Sequence, residues 1–210
     1  MFGTQPIAIV LTGGPGAGKT TITRTLATDA AFADWRGQLG GVLAVPEAAT
    51  QVYESRRTRW DRLDDAGRRD VQRAIYALQR EQEDRLRADA RRRGVRILLL
   101  DRGTIDGSAY WPDGAAAYWD DLGTDAADEL ARYGGVVLLE SVAALGEAAY
   151  DGDASNAVRF ESADAALASG RLLQELWRDH PRSAVVEAQP DLEEKVRATA
   201  TAVARLADRA

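Results

Sequence analysis

The sequence contains no cysteine, one histidine and only two lysines, Lys19 and Lys195. The missing cysteines exclude disulfide bonds and thiolate metal sites. Acidic residues outnumber basic ones, 33 to 27, and the formal net charge is −6. This balance argues against a nucleic-acid or anionic-membrane footprint spread over the whole surface. We therefore expect neither a nucleic acid nor a membrane as a partner.

Long hydrophobic runs are also missing. The first apolar run, Ile7–Leu11, is too short for a signal peptide or a membrane span, and no basic segment precedes it. The cytoplasm is therefore the expected location. A length of 210 residues favours one domain over residues 1–210. The stretch from about 140 to 162 contains Gly146, Gly152 and several aspartates, and it is predicted to form a lid. The oligomeric state stays open, a homodimer included.

Short apolar segments alternate with amphipathic ones along the chain. The predicted strands are Ile7–Leu11, Val42–Val45, Val95–Leu100, Val136–Leu139 and Ser183–Val186. The predicted helices include Lys19–Thr28, residues 66–93, Thr124–Tyr133, Ser162–Arg178 and Leu192–Ala207. This order predicts an α/β fold, a three-layer α/β/α sandwich around a parallel five-stranded sheet. Ligands of such sheets bind at the carboxyl ends of the strands.

A glycine-rich turn follows the first predicted strand and precedes the first predicted helix. Residues 13–20 fit the P-loop pattern G-x-x-x-x-G-K-[ST] without a mismatch. Glycines let main-chain N–H groups converge on an anion, and the helix N-terminus adds unpaired donors. Lys19 is predicted to bridge the β- and γ-phosphates of ATP or GTP, and Thr20 to ligate Mg²⁺. The predicted nucleotide-binding residues are Gly13, Gly14, Pro15, Gly16, Ala17, Gly18, Lys19, Thr20 and Thr21.

Asp101 ends the third predicted strand, which is the position of a Walker B acid. An acid there can hold Mg²⁺ directly or through water, and capping of the next segment is the alternative. The next residue is Arg102, whereas work-producing ATPases usually carry a glutamate that polarises water. An arginine suits a transferring phosphoryl group or an acceptor rather than water activation. The sequence has no N/T-K-x-D motif for guanine.

Glu47 follows the second predicted strand and is expected to face the same crevice. In a kinase its carboxylate can accept the proton of an attacking hydroxyl. An N-cap or first-turn role in the next helix is an equally open interpretation. Arg56, Arg57 and Arg59 come next, and they either bind an anionic substrate or form a solvated basic face.

Asp106, Tyr110 and Trp111 follow the turn after the third predicted strand. The rings are candidates for stacking on a flat acceptor, with Asp106 bonding to a sugar or amine. A satellite packing cluster is the alternative. Arg159 follows the glycine- and aspartate-containing loop, where it either closes on the phosphates as a lid arginine or forms a surface ion pair.

Three strings carry a family resemblance: Gly13–Thr21, Val45-Pro46-Glu47-Ala48-Ala49-Thr50, and Asp101-Arg102-Gly103 with Asp106-Gly107-Ser108-Ala109-Tyr110. Over most of its length the chain resembles the P-loop "AAA domain" ATP/GTP-binding proteins related to the nicotinamide riboside kinase domain of NadR. More distantly it is similar to deoxynucleoside and thymidylate kinases. The resemblance implies the kinase-like strand order 2-3-1-4-5 for the predicted sheet. It also implies Glu47 as the base candidate, Asp101 and Arg102 as the metal and phosphate pair, and Arg159 in a lid. It does not identify the acceptor.

Together these features predict a kinase. We expect Mg²⁺-dependent transfer of the γ-phosphoryl group of ATP to a small hydroxyl acceptor, with a nucleoside or nucleotide as the leading candidates. The catalytic candidates are Lys19, Glu47, Arg102 and Arg159, with Thr20 and Asp101 as metal ligands and Arg56, Asp106, Tyr110 and Trp111 as substrate contacts. The alternative is an ATP- or GTP-binding switch or slow NTPase that acts through a protein partner.

Overall fold

The computed structural model describes residues 5–151 and 162–208. The strands are β1 (Ile7–Thr12), β2 (Val42–Val45), β3 (Ile97–Asp101), β4 (Gly135–Leu139) and β5 (Ser183–Val186). The helices are α1 (Lys19–Thr28), α2 (Ala33–Gln38), α3 (Ala48–Arg56), α4 (Asp65–Arg93), α5 (Gly114–Leu122), α6 (Ala126–Ala131), α7 (Glu147–Asp151), α8 (Ala163–Leu176) and α9 (Leu192–Asp208). Helices α2, α5 and α7 are additional to the predicted ones. They have six, nine and five residues, too few to show a clear helical period.

The five strands lie parallel in one sheet with the order β2-β3-β1-β4-β5, which confirms the predicted order. β1 is central, with Leu11 paired to Asp101 of β3 and Thr12 paired to Leu138 of β4. Helices cover both faces, so the predicted three-layer fold is also confirmed. The carboxyl ends of β1, β3 and β4 meet at one edge, where ligands of such sheets bind.

Two apolar cores form because successive strand residues point to opposite faces of the sheet. On one face Leu11 packs with Ile22 of α1 and Val203 of α9. On the other face Val10 packs with Trp177, the residue that follows α8. All five of these side chains are fully buried. Removal of this apolar surface from water holds the helices against the sheet.

The third strand begins two residues later than predicted. The Val95 N–H donates to the Ala90 carbonyl at 2.9 Å, because Gly94 adopts a φ of 67° and closes the C-terminus of α4. Val95 therefore completes the helix cap, and pairing with β1 starts at Ile97. The strand ends at Asp101, the acidic residue that was expected at its carboxyl end.

Helix α4 matches its predicted span within one residue, but its buried face is more polar than the pattern suggests. The fully buried side chains include Gln72, Gln79, Gln82 and Glu83, while the apolar Ile75 is only half-buried. The polar residues are buried because α4 packs against α3 and the 104–110 segment, close to the ligand-binding edge of the sheet. No described helix is both long enough and apolar enough to cross a lipid bilayer.

Candidate functional site: the phosphate loop and its neighbouring cavity

The phosphate loop joins β1 to α1 and requires its glycines. A Cβ on Gly13 would lie 2.1 Å from the Leu139 carbonyl oxygen, and one on Gly14 would lie 2.4 Å from the Ala166 carbonyl oxygen. Gly13 also has a φ of 149°, which L side chains rarely adopt. The loop is therefore pressed against β4 and α8 by direct backbone contact.

The N-terminus of α1 offers unpaired main-chain donors. Its N-cap residue, Gly18, has no side chain to accept from them, and the first turn contains no acidic residue. The first N–H groups of a helix lack partners within the helix, and the helix dipole places positive charge there. Together with the adjacent loop, this helix end suits a phosphate group.

Lys19 lies inside the loop and is only 8% exposed. Its Nζ donates to the carbonyl oxygens of Gly13 and Gly14, at 2.8 and 3.0 Å. Burial, and then the charge of Arg102, lower the pKa of Lys19 to about 8, although the nearby carboxylate of Asp101 acts in the opposite direction. The ammonium group is thus held where the phosphates of a bound nucleotide would lie.

Asp101 occupies the carboxyl end of β3 and is 1% exposed. Neither of its carboxylate oxygens has a hydrogen-bond partner among the described residues. Burial, and then the charge of Glu47, raise the pKa of Asp101. The charge of Lys19 lowers it, and so does the Thr20 hydroxyl, which lies nearby without meeting the geometry of a hydrogen bond. A buried carboxylate without partners is unfavourable, and a cation beside it would remove that cost.

Glu47 occupies the N-cap position of α3, but its carboxylate makes no capping bond. Instead, Oε1 accepts from Arg102 Nε at 2.6 Å and Oε2 accepts from the Thr50 hydroxyl at 2.7 Å. Burial alone would raise the pKa of Glu47, but Arg102 and Lys19 outweigh it and hold the pKa below its ordinary value. The carboxylate is therefore ionised at neutral pH and directed toward the ends of the strands.

Arg102 adopts a φ of 74°, a conformation that is costly for a residue with a Cβ. Its guanidinium joins two carboxylates, with Nε on Glu47 at 2.6 Å and one terminal nitrogen 3.5 Å from Asp106 Oδ2. The surrounding anionic groups raise the pKa of Arg102 further despite its burial. The turn after β3 thus places a permanent cation between the two acids.

Asp106 is buried and held on several sides. Oδ2 accepts from the Thr12 hydroxyl at 2.6 Å, and Oδ1 accepts from Trp177 Nε1 at 2.7 Å. Burial raises the pKa of Asp106, although Arg102 and these hydrogen bonds act against it. Asp106 was predicted to bond to a sugar or amine of an acceptor. The structure shows its carboxylate joining β1, the turn after β3 and the end of α8.

A cavity of about 220 Å³ opens beside these groups. Pro15 of the phosphate loop, Glu47, Arg102 and Asp106 contribute to its wall. The aromatic part of the lining is formed by Tyr53, Trp60, Tyr76, Tyr110 and Tyr118. The cavity therefore connects the ion-paired cluster with an aromatic surface.

The remaining predicted substrate residues have different positions. Tyr110 lies in the cavity wall, whereas Trp111 lies outside the lining and packs on Tyr118 with ring centroids 5.3 Å apart. Arg56 lies on the exterior of α3 and pairs with Asp70 of α4. Arg159 falls outside the described residues, and so does the far part of the segment 140–162.

A buried polar network behind the cavity was not predicted. The Thr104 hydroxyl donates to Glu129 at 2.7 Å, and the Tyr133 hydroxyl donates to Glu83 at 2.9 Å. The Tyr133 hydroxyl also accepts from the Thr104 N–H at 2.8 Å. These bonds fix the turn that carries Arg102. Glu83 and Glu129 are acidic residues of helices, a class that usually faces solvent, so their burial gave no local signal.

A sequence model of a protein family described as an AAA domain matches residues 8–195. The matched region includes the phosphate loop, β2 with Glu47, and β3 with Asp101. No curated protein matches the sequence at a significant level. Because the family match covers most of the chain and the phosphate loop has the geometry described above, the chain belongs to the AAA domain family of P-loop nucleotide-binding proteins.

Proposed function

We propose that this protein is a Mg²⁺-dependent phosphotransferase that moves the γ-phosphoryl group of ATP to a hydroxyl of a small acceptor. The observation that carries the proposal is the position of Glu47, whose carboxylate lines the same cavity as Pro15 of the phosphate loop. A carboxylate beside the phosphates can accept the proton of a hydroxyl whose oxygen attacks phosphorus. Arg102 in place of a water-polarising glutamate further favours transfer over hydrolysis.

The residues present fit Mg²⁺. Asp101 offers two buried oxygens without hydrogen bonds, and Thr20 offers a hydroxyl at the start of α1. The described residues contain no cluster of three or more His, Cys, Asp or Glu side chains that could hold a metal ion. That suits an ion held by one carboxylate, one hydroxyl and the nucleotide. When bound, Mg²⁺ neutralises phosphate charge and orients the phosphates.

In this proposal the cationic and the acidic side chains have different roles. Lys19 holds the β- and γ-phosphates, and Glu47 orients the acceptor hydroxyl. The acceptor oxygen forms a bond to the γ-phosphorus as the bond from that phosphorus to the bridging β,γ-oxygen breaks. The acceptor proton passes to Glu47 and then to solvent. Arg102 holds Glu47 in place and stabilises negative charge near the acceptor. A role for Arg159 as a cation that closes on the phosphates stays a prediction, because this residue lies outside the described part of the chain.

Acceptor-stimulated ADP release tests this function. ADP formation is measured with Mg-ATP alone and with panels of nucleosides, nucleotides and sugars, and the phosphorylated product is identified by mass spectrometry. We expect one acceptor class to stimulate release, and Lys19→Ala to abolish it because the phosphates lose their cation. Slow release that no acceptor stimulates, combined with a nucleotide-dependent conformational change, would instead support a switch or slow NTPase.

Glu47→Gln separates the base role from nucleotide binding. We expect kcat to fall by about 10²- to 10³-fold, while the Kd for Mg-ATP changes by less than about twofold, since the phosphates contact the loop and not Glu47. Glu54→Gln is the matched control, because Glu54 is exposed on the same helix, α3. Equal losses of ATP affinity and turnover in Glu47→Gln would contradict a base role.

A further inference from the structure

Helix α4 contains a buried glutamine whose side-chain amide bonds to the main chain of Arg102. Gln79 is 3% exposed, and its Nε2 donates to the Arg102 carbonyl oxygen at 3.2 Å. The same nitrogen donates to Oε1 of Glu83 at 3.0 Å. A carboxamide nitrogen carries two hydrogens, so both of them are engaged. These bonds join the turn after β3 to a buried acid of the helix.

Glu83 fixes the direction of this amide. Its carboxylate is fully buried, and it also accepts from the Tyr133 hydroxyl at 2.9 Å and from Arg132 at 2.6 Å. If the Gln79 carboxamide were reversed, its oxygen would face the Glu83 carboxylate and the Arg102 carbonyl, neither of which donates. Only the orientation with the nitrogen toward both acceptors is favourable. Gln79 is therefore held in one orientation from the helix side.

The main chain of Arg102 needs such support. Its φ of 74° lies in the left-handed region, and a residue with a Cβ stays there only when its surroundings hold it. The Arg102 N–H donates to the Leu11 carbonyl oxygen at 3.0 Å. The bond from Gln79 holds the carbonyl at the other end of the residue. Arg102 is thus held on one side by β1 and on the other side by α4.

The direction of the Arg102 side chain depends on this main-chain geometry. Its Nε donates to Glu47 Oε1 at 2.6 Å, the short distance of a charge-assisted hydrogen bond. A rotation of the main chain at Arg102 would carry Nε away from Glu47, because the side chain starts from that main chain. On the other side, the Thr50 hydroxyl of α3 donates to Glu47 Oε2 at 2.7 Å. The ion pair therefore forms where α3 holds the acid and α4, through Gln79, holds the cation.

From these contacts we propose that Gln79 is a positioning residue, which keeps the Arg102 guanidinium on the Glu47 carboxylate by holding the Arg102 carbonyl. Its effect on turnover rests on the proposed phosphotransfer, in which Glu47 accepts the proton of the acceptor. Its effect on the ion pair can be measured without any reaction.

Arginine side-chain NMR measures the ion pair without turnover. The Arg102 Nε–H resonance is identified by its loss in Arg102→Lys, and its exchange with solvent is measured in the wild-type protein and in Gln79→Met. Methionine is unbranched and similar in length to glutamine, but it donates no hydrogen bond. We expect exchange to be about tenfold faster in Gln79→Met, because the guanidinium leaves Glu47 more often. An unchanged exchange rate in a folded Gln79→Met protein would overturn the proposal.

Gln82→Met is the matched control. Gln82 is 4% exposed on the same helix, and its Nε2 donates to Gln51 Oε1 at 3.0 Å. The substitution therefore removes a buried glutamine bond of α4 and leaves the bond from Gln79 to Arg102 in place. We expect the Arg102 Nε–H to exchange at the wild-type rate. Equally faster exchange in both variants would indicate a general loosening of α4 and would contradict the positioning role.

Gln79→Asn is the second variant if Gln79→Met fails to fold. Asparagine keeps the amide but is one methylene shorter, so it cannot reach both Glu83 and the Arg102 carbonyl from α4. We expect the same faster exchange of the Arg102 Nε–H. A wild-type exchange rate in this variant would also overturn the proposal.

Turnover distinguishes the positioning role from the proposed function. With an acceptor that stimulates ADP release, we expect kcat per folded molecule to fall by about tenfold in Gln79→Met. The Kd for Mg-ATP should stay unchanged, because Gln79 bonds to Arg102 and not to the phosphate loop. Phosphotransfer with an unchanged kcat in this variant would contradict the positioning role and leave phosphotransfer standing. Faster Arg102 exchange in Gln79→Met, with no acceptor that stimulates ADP release, would support the hold on the ion pair and contradict phosphotransfer.

Discussion

At the scale of single residues, Lys19 makes nucleotide binding depend on pH. Burial lowers its pKa to about 8 in the free protein, whereas bound phosphates favour the charged ammonium. Above about pH 8, the free protein therefore carries a neutral amine that must take up a proton when Mg-ATP binds. We expect the affinity for Mg-ATP to fall as pH rises above 8, approaching about tenfold per pH unit.

The measurement is calorimetry between pH 7 and 9.5 in two buffers with different ionisation enthalpies. Near pH 9 the heats should differ between the buffers, because close to one proton is taken up per nucleotide. Lys19→Met supplies the control, since a side chain that does not titrate removes this proton uptake along with much of the affinity. A wild-type affinity that stays constant across this range would show that Lys19 is already fully charged in the free protein.

The site was only partly predictable because several of its contacts join residues that are far apart in the sequence. The Lys19 position follows from a contiguous motif, whereas Arg102 reaches Glu47 across 55 positions of the chain. From its sequence position alone, Glu47 was equally compatible with a helix cap and with a catalytic base. The structure shows it at the cap position with its carboxylate on Arg102 instead. Trp60 and Gln72 carried no motif, and only the cavity reveals them.

At the scale of elements, α8 supports the phosphate loop by backbone contact. A Cβ on Gly14 would meet the Ala166 carbonyl oxygen at 2.4 Å and the Gly170 nitrogen at 3.0 Å. A Cβ on Gly170 would meet only the Gly14 nitrogen, at an ordinary 3.8 Å. There is therefore no room for a Cβ on Gly14 of the loop, whereas there is room for one on Gly170 of the helix.

Two alanine substitutions test this asymmetry. We expect Gly14→Ala to displace the loop and to weaken Mg-ATP binding at least a hundredfold. Gly170→Ala, in the interior of α8, should leave binding unchanged and raise the free energy of unfolding by about 0.5–1 kcal/mol, because alanine favours helix. Calorimetry and denaturant unfolding measure both effects. Normal nucleotide binding by Gly14→Ala would show that the loop does not need this close approach.

Helix α4 shows where element-level prediction failed. Its span and its end at Gly94 were predicted, since helical periodicity and a glycine C-cap are local signals. The burial of Gln72, Gln79 and Glu83 was not predicted, because a polar residue on an amphipathic helix is normally assigned to the solvent side. Glu83 is buried because Tyr133 and Arg132 approach it from another part of the chain.

At the scale of the whole molecule, we expect the buried carboxylate of Asp101 to lower the stability of the unliganded protein and to support the binding of Mg-ATP. A carboxyl group with a raised pKa is less easily ionised in the folded state than in the unfolded state. The free energy of unfolding therefore falls as pH rises from the ordinary pKa of an aspartate to the raised pKa of Asp101. We expect Asp101→Asn to raise the free energy of unfolding at pH 7 by on the order of 1 kcal/mol without Mg²⁺ and nucleotide. The same variant should lose most of the stabilisation that Mg-ATP provides to the wild type.

Thermal unfolding with and without Mg-ATP measures both parts of this prediction. Asp84→Asn is the control, because Asp84 lies on α4 with 63% of its side chain exposed and pairs with Arg87. A control that behaved like Asp101→Asn would indicate a general effect of net charge. Lower stability of Asp101→Asn without ligands would mean that the surrounding cations already compensate the buried carboxylate.

The sequence alone determined the α/β class and the phosphate loop, because both depend on signals confined to short stretches of chain, whereas the strand order was predicted from the resemblance to P-loop kinases. Apolar runs mark strands, helical periods mark helices, and eight consecutive residues make the P-loop motif. Only the tertiary structure decided which side chains surround the cavity beside the phosphate loop. Thr12 bonds to Asp106 across 94 positions, and no local pattern encodes a contact between such distant residues. Parallel β-strands bring their loops to one edge, and side-chain packing then determines which of those residues meet.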